Sequence, residues 1–123
     1  MVEDRVTDGK RIAQLLASEL SGRSDGLLGD VELVDADRDA DPSPNGTHAY
    51  GVTYRDDRVA AVSLYPSAAE LVVRSATRAV AEAARERDLA TESDEDSDTV
   101  VLRIEYGAAI KRAVDALTDG LSA

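Results

Sequence analysis

The stretch Arg58–Ala90, RVAAVSLYPSAAELVVRSATRAVAEAARERDLA, constrains this chain more than any other. Its first part, Val59 to Tyr65, is a short and mostly apolar run that predicts a strand, ended by Pro66, which cannot donate a ladder hydrogen bond. Ser67 and Glu70 then stand at capping-box spacing, the hydroxyl able to accept from the third helical N–H and the carboxylate able to reach back, so a helix is predicted to start at once. Val72, Val73, Ala76, Ala79, Val80 and Ala83 follow at three- and four-residue steps with no Gly or Pro among them, giving the longest expected helix one apolar stripe. Such a stripe has to be covered.

Upstream, Val2 to Ser21 holds a first helix, with Ile12, Leu15, Leu16 and Leu20 in helical phase. Thr7 or Asp8 can cap it and Gly22 can stop it, and a start as early as Glu3 would carry Gly9 internally. Leu27 to Asp35 reads as a strand, with Val31 and Leu33 on one face. A polar loop, 35–46, comes next and is expected to be mobile. His48 to Arg55 is a second strand, with Tyr50, Val52 and Tyr54 on one face and Ala49, Gly51 and Thr53 on the other. Asp56 and Asp57 are the two residues left for a tight hairpin turn into Val59–Tyr65.

Downstream, Thr91 to Asp98 (TESDEDSD) has no apolar residue and reads as a loop. Thr99 to Tyr106 is a fourth strand, Val100, Leu102, Ile104 and Tyr106 facing one way and Val101, Arg103 and Glu105 the other. Gly107 turns the chain into a last helix striped by Tyr106, Ala109, Ile110, Ala113, Val114 and Leu117 and ended by Gly120. The order α-β-β-β-α-β-α predicts an α+β fold, a two-layer sandwich with helices on one face of a four-stranded, mainly antiparallel sheet. Its fourth strand should lie parallel to the third through a right-handed crossover.

With 123 residues the chain suits one domain over 1–123, large enough to bury about two thirds of its unfolded surface. It has no Cys, Phe or Trp, so the core must be aliphatic and rich in Ala. No secretory leader and no apolar run of membrane-spanning length is visible, which makes a cytoplasmic location and no membrane association the expectation. Acids outnumber bases 25 to 14, a net charge of −11, with 12 Arg against 2 Lys and 16 Asp against 9 Glu. That composition resembles the proteins of extreme halophiles, where molar salt shortens the Debye length to about 3 Å and screens the repulsion. The acidity is then a matter of habitat rather than of a cationic partner.

Each cluster that could carry chemistry has a plainer reading. Asp35, Asp37, Asp39 and Asp41 alternate as hard oxygen ligands do at the start of a calcium loop, but the later glycine and glutamate of that loop are missing, so no tight metal site is expected. His48 is the only histidine and has no Cys to share a zinc ion with. Ser63, Ser67 and Ser75 lack a nucleophile-elbow sequence, and no phosphate-binding glycine motif occurs, so no cofactor or catalytic set is expected. Arg74, Arg78 and Arg85 fall within about 40° of one another on the expected helix. Pairing with Glu70, Glu82 and Glu86 explains them simply, and an interface explains them more sharply.

Helix, three antiparallel strands and helix in succession, 7–90, is the element order of a double-stranded-RNA-binding domain. Such domains have a basic cluster where this chain reads Ser67, Ala68, Ala69, Glu70, so no nucleic-acid binding is expected. The full order is similar to small acidic secretion chaperones and related bacterial adaptors, which pair through their second helix and usually carry two strands after it. The expectation is a non-enzymatic protein-interaction domain of adaptor or chaperone type, homodimeric, using either Ala61 on the sheet or Ala84 beside Arg74, Arg78 and Arg85 on the helix. The alternative is a ligand-binding or enzymatic domain with a pocket between sheet and helices. A carboxylate buried beside Tyr50, Tyr54 or Tyr106 would favour that chemistry.

Overall fold

The computed structural model describes residues 8–22 and 26–122. The elements run α1 (Gly9–Gly22), a 3-10 turn (Gly26–Asp30), β1 (Val31–Val34), β2 (Thr47–Tyr54), β3 (Asp57–Tyr65), β4 (Ala68–Val73) and α2 (Thr77–Glu86). Then come β5 (Ala90–Asp94), β6 (Thr99–Ile104), a 3-10 turn (Gly107–Ala109) and α3 (Ile110–Leu121). The α+β class and the antiparallel sheet are as expected. The strand number is six rather than four, in the order β1-β2-β3-β4-β6-β5, and every neighbouring pair is antiparallel.

The main correction falls where the sequence looked clearest. Pro66 and Ser67 do not divide a strand from a helix; they are the two-residue turn of a hairpin in which Tyr65 pairs with Ala68. Neither residue takes a positive φ, so this is not the primed turn usual in two-residue hairpins, and proline's fixed negative φ suits its first position. Residues 68–73 continue as β4, burying Ala69, Leu71 and Val73 on one face, and the alternation ending in two β-branched valines outweighs the helix preference of Ala68, Ala69 and Glu70. Glu70 therefore caps nothing. The helix begins only at Thr77, after Ala76 at φ 51°. With β4 inserted, β6 meets β4 antiparallel, and the expected parallel crossover does not occur.

Other boundaries shift less. Asp8 Oδ1 accepts the Lys10 N–H at 3.0 Å and so caps α1, while Thr7 and the Glu3 start lie outside the described residues. The first half of the strand expected at Leu27–Asp35 is the 3-10 turn. The β2–β3 turn is Arg55–Asp56, one residue early, with φ of 53° and 72°. Both central residues of this turn type take positive φ, and Arg55 is held there by Asp30, whose carbonyl accepts its N–H at 3.1 Å and whose carboxylate accepts its Nε–H at 3.3 Å. Thr91–Asp94, expected as loop, belongs to edge strand β5. Tyr106, expected in the last helical stripe, precedes the 3-10 turn in extended backbone and is 42% exposed.

Packing explains the layers. Val100, Leu102 and Ile104 are fully buried, as their alternation predicted, and join Val62, Leu71 and Val73 of the sheet with Ile12, Leu16, Val80 and Leu117 of the helices. α1 lies against β1, β3 and β4, α2 against β5 and β6, and α3 spans both helices and β6. At Gly120 the two later helices nearly touch, for a Cβ there would lie 2.2 Å from Val80 Cγ2. All three helices take the same side of the sheet. The other side has no described helix over it.

Candidate functional site

That open side follows from strand register. Val34, Gly51, Ala61, Val72, Val101 and Glu92 are matched partners in one row across all six strands, and none of them lies on the helix-covered side. The neighbouring row is His48, Ser63, Glu70, Arg103 and Ala90. Ala61, Ser63, Glu70, Val72, Val101 and Arg103 are half-buried, as expected of outward residues on interior strands. Ala61, Val72 and Val101 make a small apolar strip on interior strands β3, β4 and β6.

Arg103, Glu70 and Arg58 are engaged within the chain. Arg103 Nη1–H donates to Glu70 Oε2 at 2.9 Å, and its Nε–H donates to Glu105 at 3.3 Å. The guanidinium also lies over the Tyr65 ring, 5.3 Å from its centroid. The Tyr65 hydroxyl is pushed above its ordinary range, first by burial and then by the charge of Glu70, with Arg103 pulling the other way. Arg58 crosses the first strands and pairs with Asp35, its guanidinium 2.7 Å from where a Gly51 Cβ would stand. Glycine in β2 is thus what lets an arginine lie flat on the sheet.

The expected site residues separate. Ala61 is on the open face, in the central row. Ala84 is fully buried and Ala81 is 3% exposed, both facing the core, so the helix surface proposed from sequence does not exist in that form. Arg74 lies in the turn before α2, its N–H donating to Val59 O at 2.9 Å, so three arginines do not share one helix line. Arg78 and Arg85 do lie on α2 and face the acidic β5–β6 hairpin across a groove lined by Asp94, Glu95 and Asp98, with Arg85 donating to Ser93 Oγ at 3.2 Å. Neither Glu82 nor Glu86 is needed to explain them. Sequence alone does not bring Tyr65, Glu70 and Arg103 together, because the capping-box spacing puts Glu70 on a helix; the valine pair after a Pro-Ser turn is the signal that puts it on a strand.

His48 is exposed, its Nε2 3.2 Å from Asp35 O. Among the described residues no three metal-ligating side chains converge and no charged side chain is buried. No carboxylate is therefore buried beside Tyr50, whose hydroxyl donates to Ala13 O at 2.8 Å. Among the described residues no helix is long and apolar enough to cross a membrane.

These features define a small α+β domain in which helices cover one side of an antiparallel sheet and no described helix covers the other. The chain belongs to the family of unknown function DUF7993, whose model matches residues 1–123. No curated protein and no solved structure matches it.

Proposed function

We propose that this chain is a non-enzymatic protein-interaction domain of the cytoplasm of an extreme halophile, and that it pairs with a second copy through the open face of the sheet. The observation that carries this reading is the row Val34–Gly51–Ala61–Val72–Val101, small or apolar side chains in register across five strands of an otherwise acidic molecule, interrupted only where Arg58 lies over Gly51. Asp35–Asp41 carries net −3 and Glu92–Asp98 net −5, leaving −3 for all the rest, so the acidity sits mainly in two segments toward the sheet's edges. Five interstrand spacings and about six residues of strand give a face of about 24 by 20 Å. Two such faces bury on the order of 1,000 Å², the lower bound for a specific interface.

The adaptor or chaperone-like reading gains one feature and loses another. β5 supplies the second strand after α2 that such proteins carry, whereas β4 is an extra strand before it. Pairing through the second helix is not favoured, since its small residues are already buried. Light scattering in molar KCl tests the proposal. Wild type should be dimeric, and Ala61→Glu or Val72→Glu should be monomeric with an unchanged circular-dichroism spectrum. A wild type that stays monomeric at high concentration would end it.

A further inference from the structure

On the helix-covered side, between α1, β2 and the loop 36–40, lies a cavity of about 400 Å³. Its walls are largely alanine, Ala13 and Ala17 from the helix, Ala36 and Ala40 from the loop and Ala49 from the sheet, with Tyr50 and Leu64 beneath. Alanine leaves room where larger side chains would have closed the gap. The volume falls in the range of small-ligand sites, of about 300–1,000 Å³.

The loop over the cavity is tied down. Asp37 N–H donates to Ala49 O at 2.8 Å, the Asp37 carboxylate accepts the Asp39 N–H at 3.0 Å, and Ala40 is buried. Tyr50 spends its proton on Ala13 O. The mouth carries Lys10, Gln14, Asp37 and Arg38. Lys10 is 3.7 Å from Asp41, a carboxylate 89% exposed, which is a weak hold. Arg38 has no side-chain partner among the described residues. In a chain with 14 cations against 25 acids, two cations and one carboxylate, Asp37, line this largely apolar cavity.

We infer that this cavity binds a small monocarboxylate of about ten non-hydrogen atoms in all, its unbranched apolar body among the alanines and its carboxylate between Lys10 and Arg38. An apolar body gains by leaving water, and charge-assisted hydrogen bonds to the head group persist in high salt because they are short-ranged. A cationic head would meet Lys10 and Arg38 with the same sign, and a neutral one would lose the charge-assisted bonds. The site is on the opposite side of the sheet from the proposed interface, so the two readings stand or fall separately.

Octanoate, octanol and octyltrimethylammonium are the probes, titrated into the full chain in molar KCl and followed by backbone amide chemical shifts. Octanoate should shift Ala13, Ala17, Ala36 to Ala40 and Ala49 and bind about tenfold tighter than octanol, with the ammonium weakest. Arg38→Gln with Lys10→Gln should bring octanoate down to octanol. Ala17→Met should fill the cavity and abolish both, and Ala36→Met on the loop does the same if the helix variant fails to fold. Absence of localised shifts at millimolar octanoate would overturn the inference, as would octanol or the ammonium binding as well as octanoate does.

Discussion

Arg103 and Glu70 face each other across the β4–β6 ladder, paired at 2.9 Å, and join the two parts of the sheet that the chain reaches by separate routes. β4 closes the run of hairpins and β6 arrives only after α2 and β5, so this pair fixes a long-range register. The same guanidinium covers Tyr65 and reaches Glu105.

Replacing Arg103 with Met keeps the stem and removes the fork. The change should cost about 1 kcal/mol, since the pair is only partly shielded from water. A double-mutant cycle with Glu70→Gln in urea should give a coupling of about 0.5–1 kcal/mol. Arg103→Met should also push the Tyr65 hydroxyl further above its ordinary value, because Arg103 is the one group lowering it. Ultraviolet titration of the tyrosines reads that shift, and no coupling together with no shift would leave the contact without energetic meaning.

Ala76 gives the sharpest test of where α2 begins. At φ 51° a Cβ is strained, so Ala76→Gly should stabilise the chain by about 0.5–1 kcal/mol. Were Ala76 inside a helix, as the sequence suggested, the same change would cost about 1 kcal/mol. Thermal melts decide between opposite signs.

Tyr50 makes a prediction about alkaline pH. Burial raises its hydroxyl above the ordinary 10.0, so the folded chain holds a proton that the unfolded chain releases. The resulting stability is complete below that ordinary value and is lost as pH rises through the folded one. Wild type should therefore weaken from about pH 10 upward. Tyr50→Phe, although about 1 kcal/mol less stable at neutral pH for want of the bond to Ala13, should weaken less steeply. Parallel alkaline limbs would contradict this.

Salt should stabilise the chain by screening its acidic segments. Glu92→Gln, Glu95→Gln and Asp96→Asn together neutralise part of the β5–β6 hairpin without touching Asp98, which accepts the Thr77 hydroxyl hydrogen bond, or Asp94, which accepts the Asp96 N–H. The triple variant should gain less in melting temperature between low and molar KCl than wild type does. An unchanged salt response would place the relevant repulsion elsewhere.

Much of the fold was legible wherever one face of an element is apolar and the other is not. Val100, Leu102 and Ile104 announced β6 by alternation, and Ile12, Leu16 and Leu20 announced α1 by helical spacing. Residues 67–73 were ambiguous because Ser67 and Glu70 fit a capping box while Ala69, Leu71 and Val73 also fit a strand; only the ladder with β3 on one side and β6 on the other decides between them. β5 could not be read from ATESD, since it gains its strand conformation from backbone pairing with β6 rather than from burying side chains. Ala61 falls on the sheet face away from the helices, as its pattern predicts, because the hairpin register is local. Ala84 was not, because its environment depends on α3, which follows much later in the chain.

The acidic edge strand has a consequence for growth of assemblies. An unpaired outer strand offers free backbone groups to any strand alongside, and that route leads to open-ended fibres. Here one border is β5, whose Glu92 and Asp94 would set carboxylate beside carboxylate in any such addition, and the other is β1, only four residues long. Lateral extension of the sheet is thus discouraged at both borders, and in the proposed pairing the broad open face would be consumed once a single neighbour had docked. Association through that face would be self-limiting.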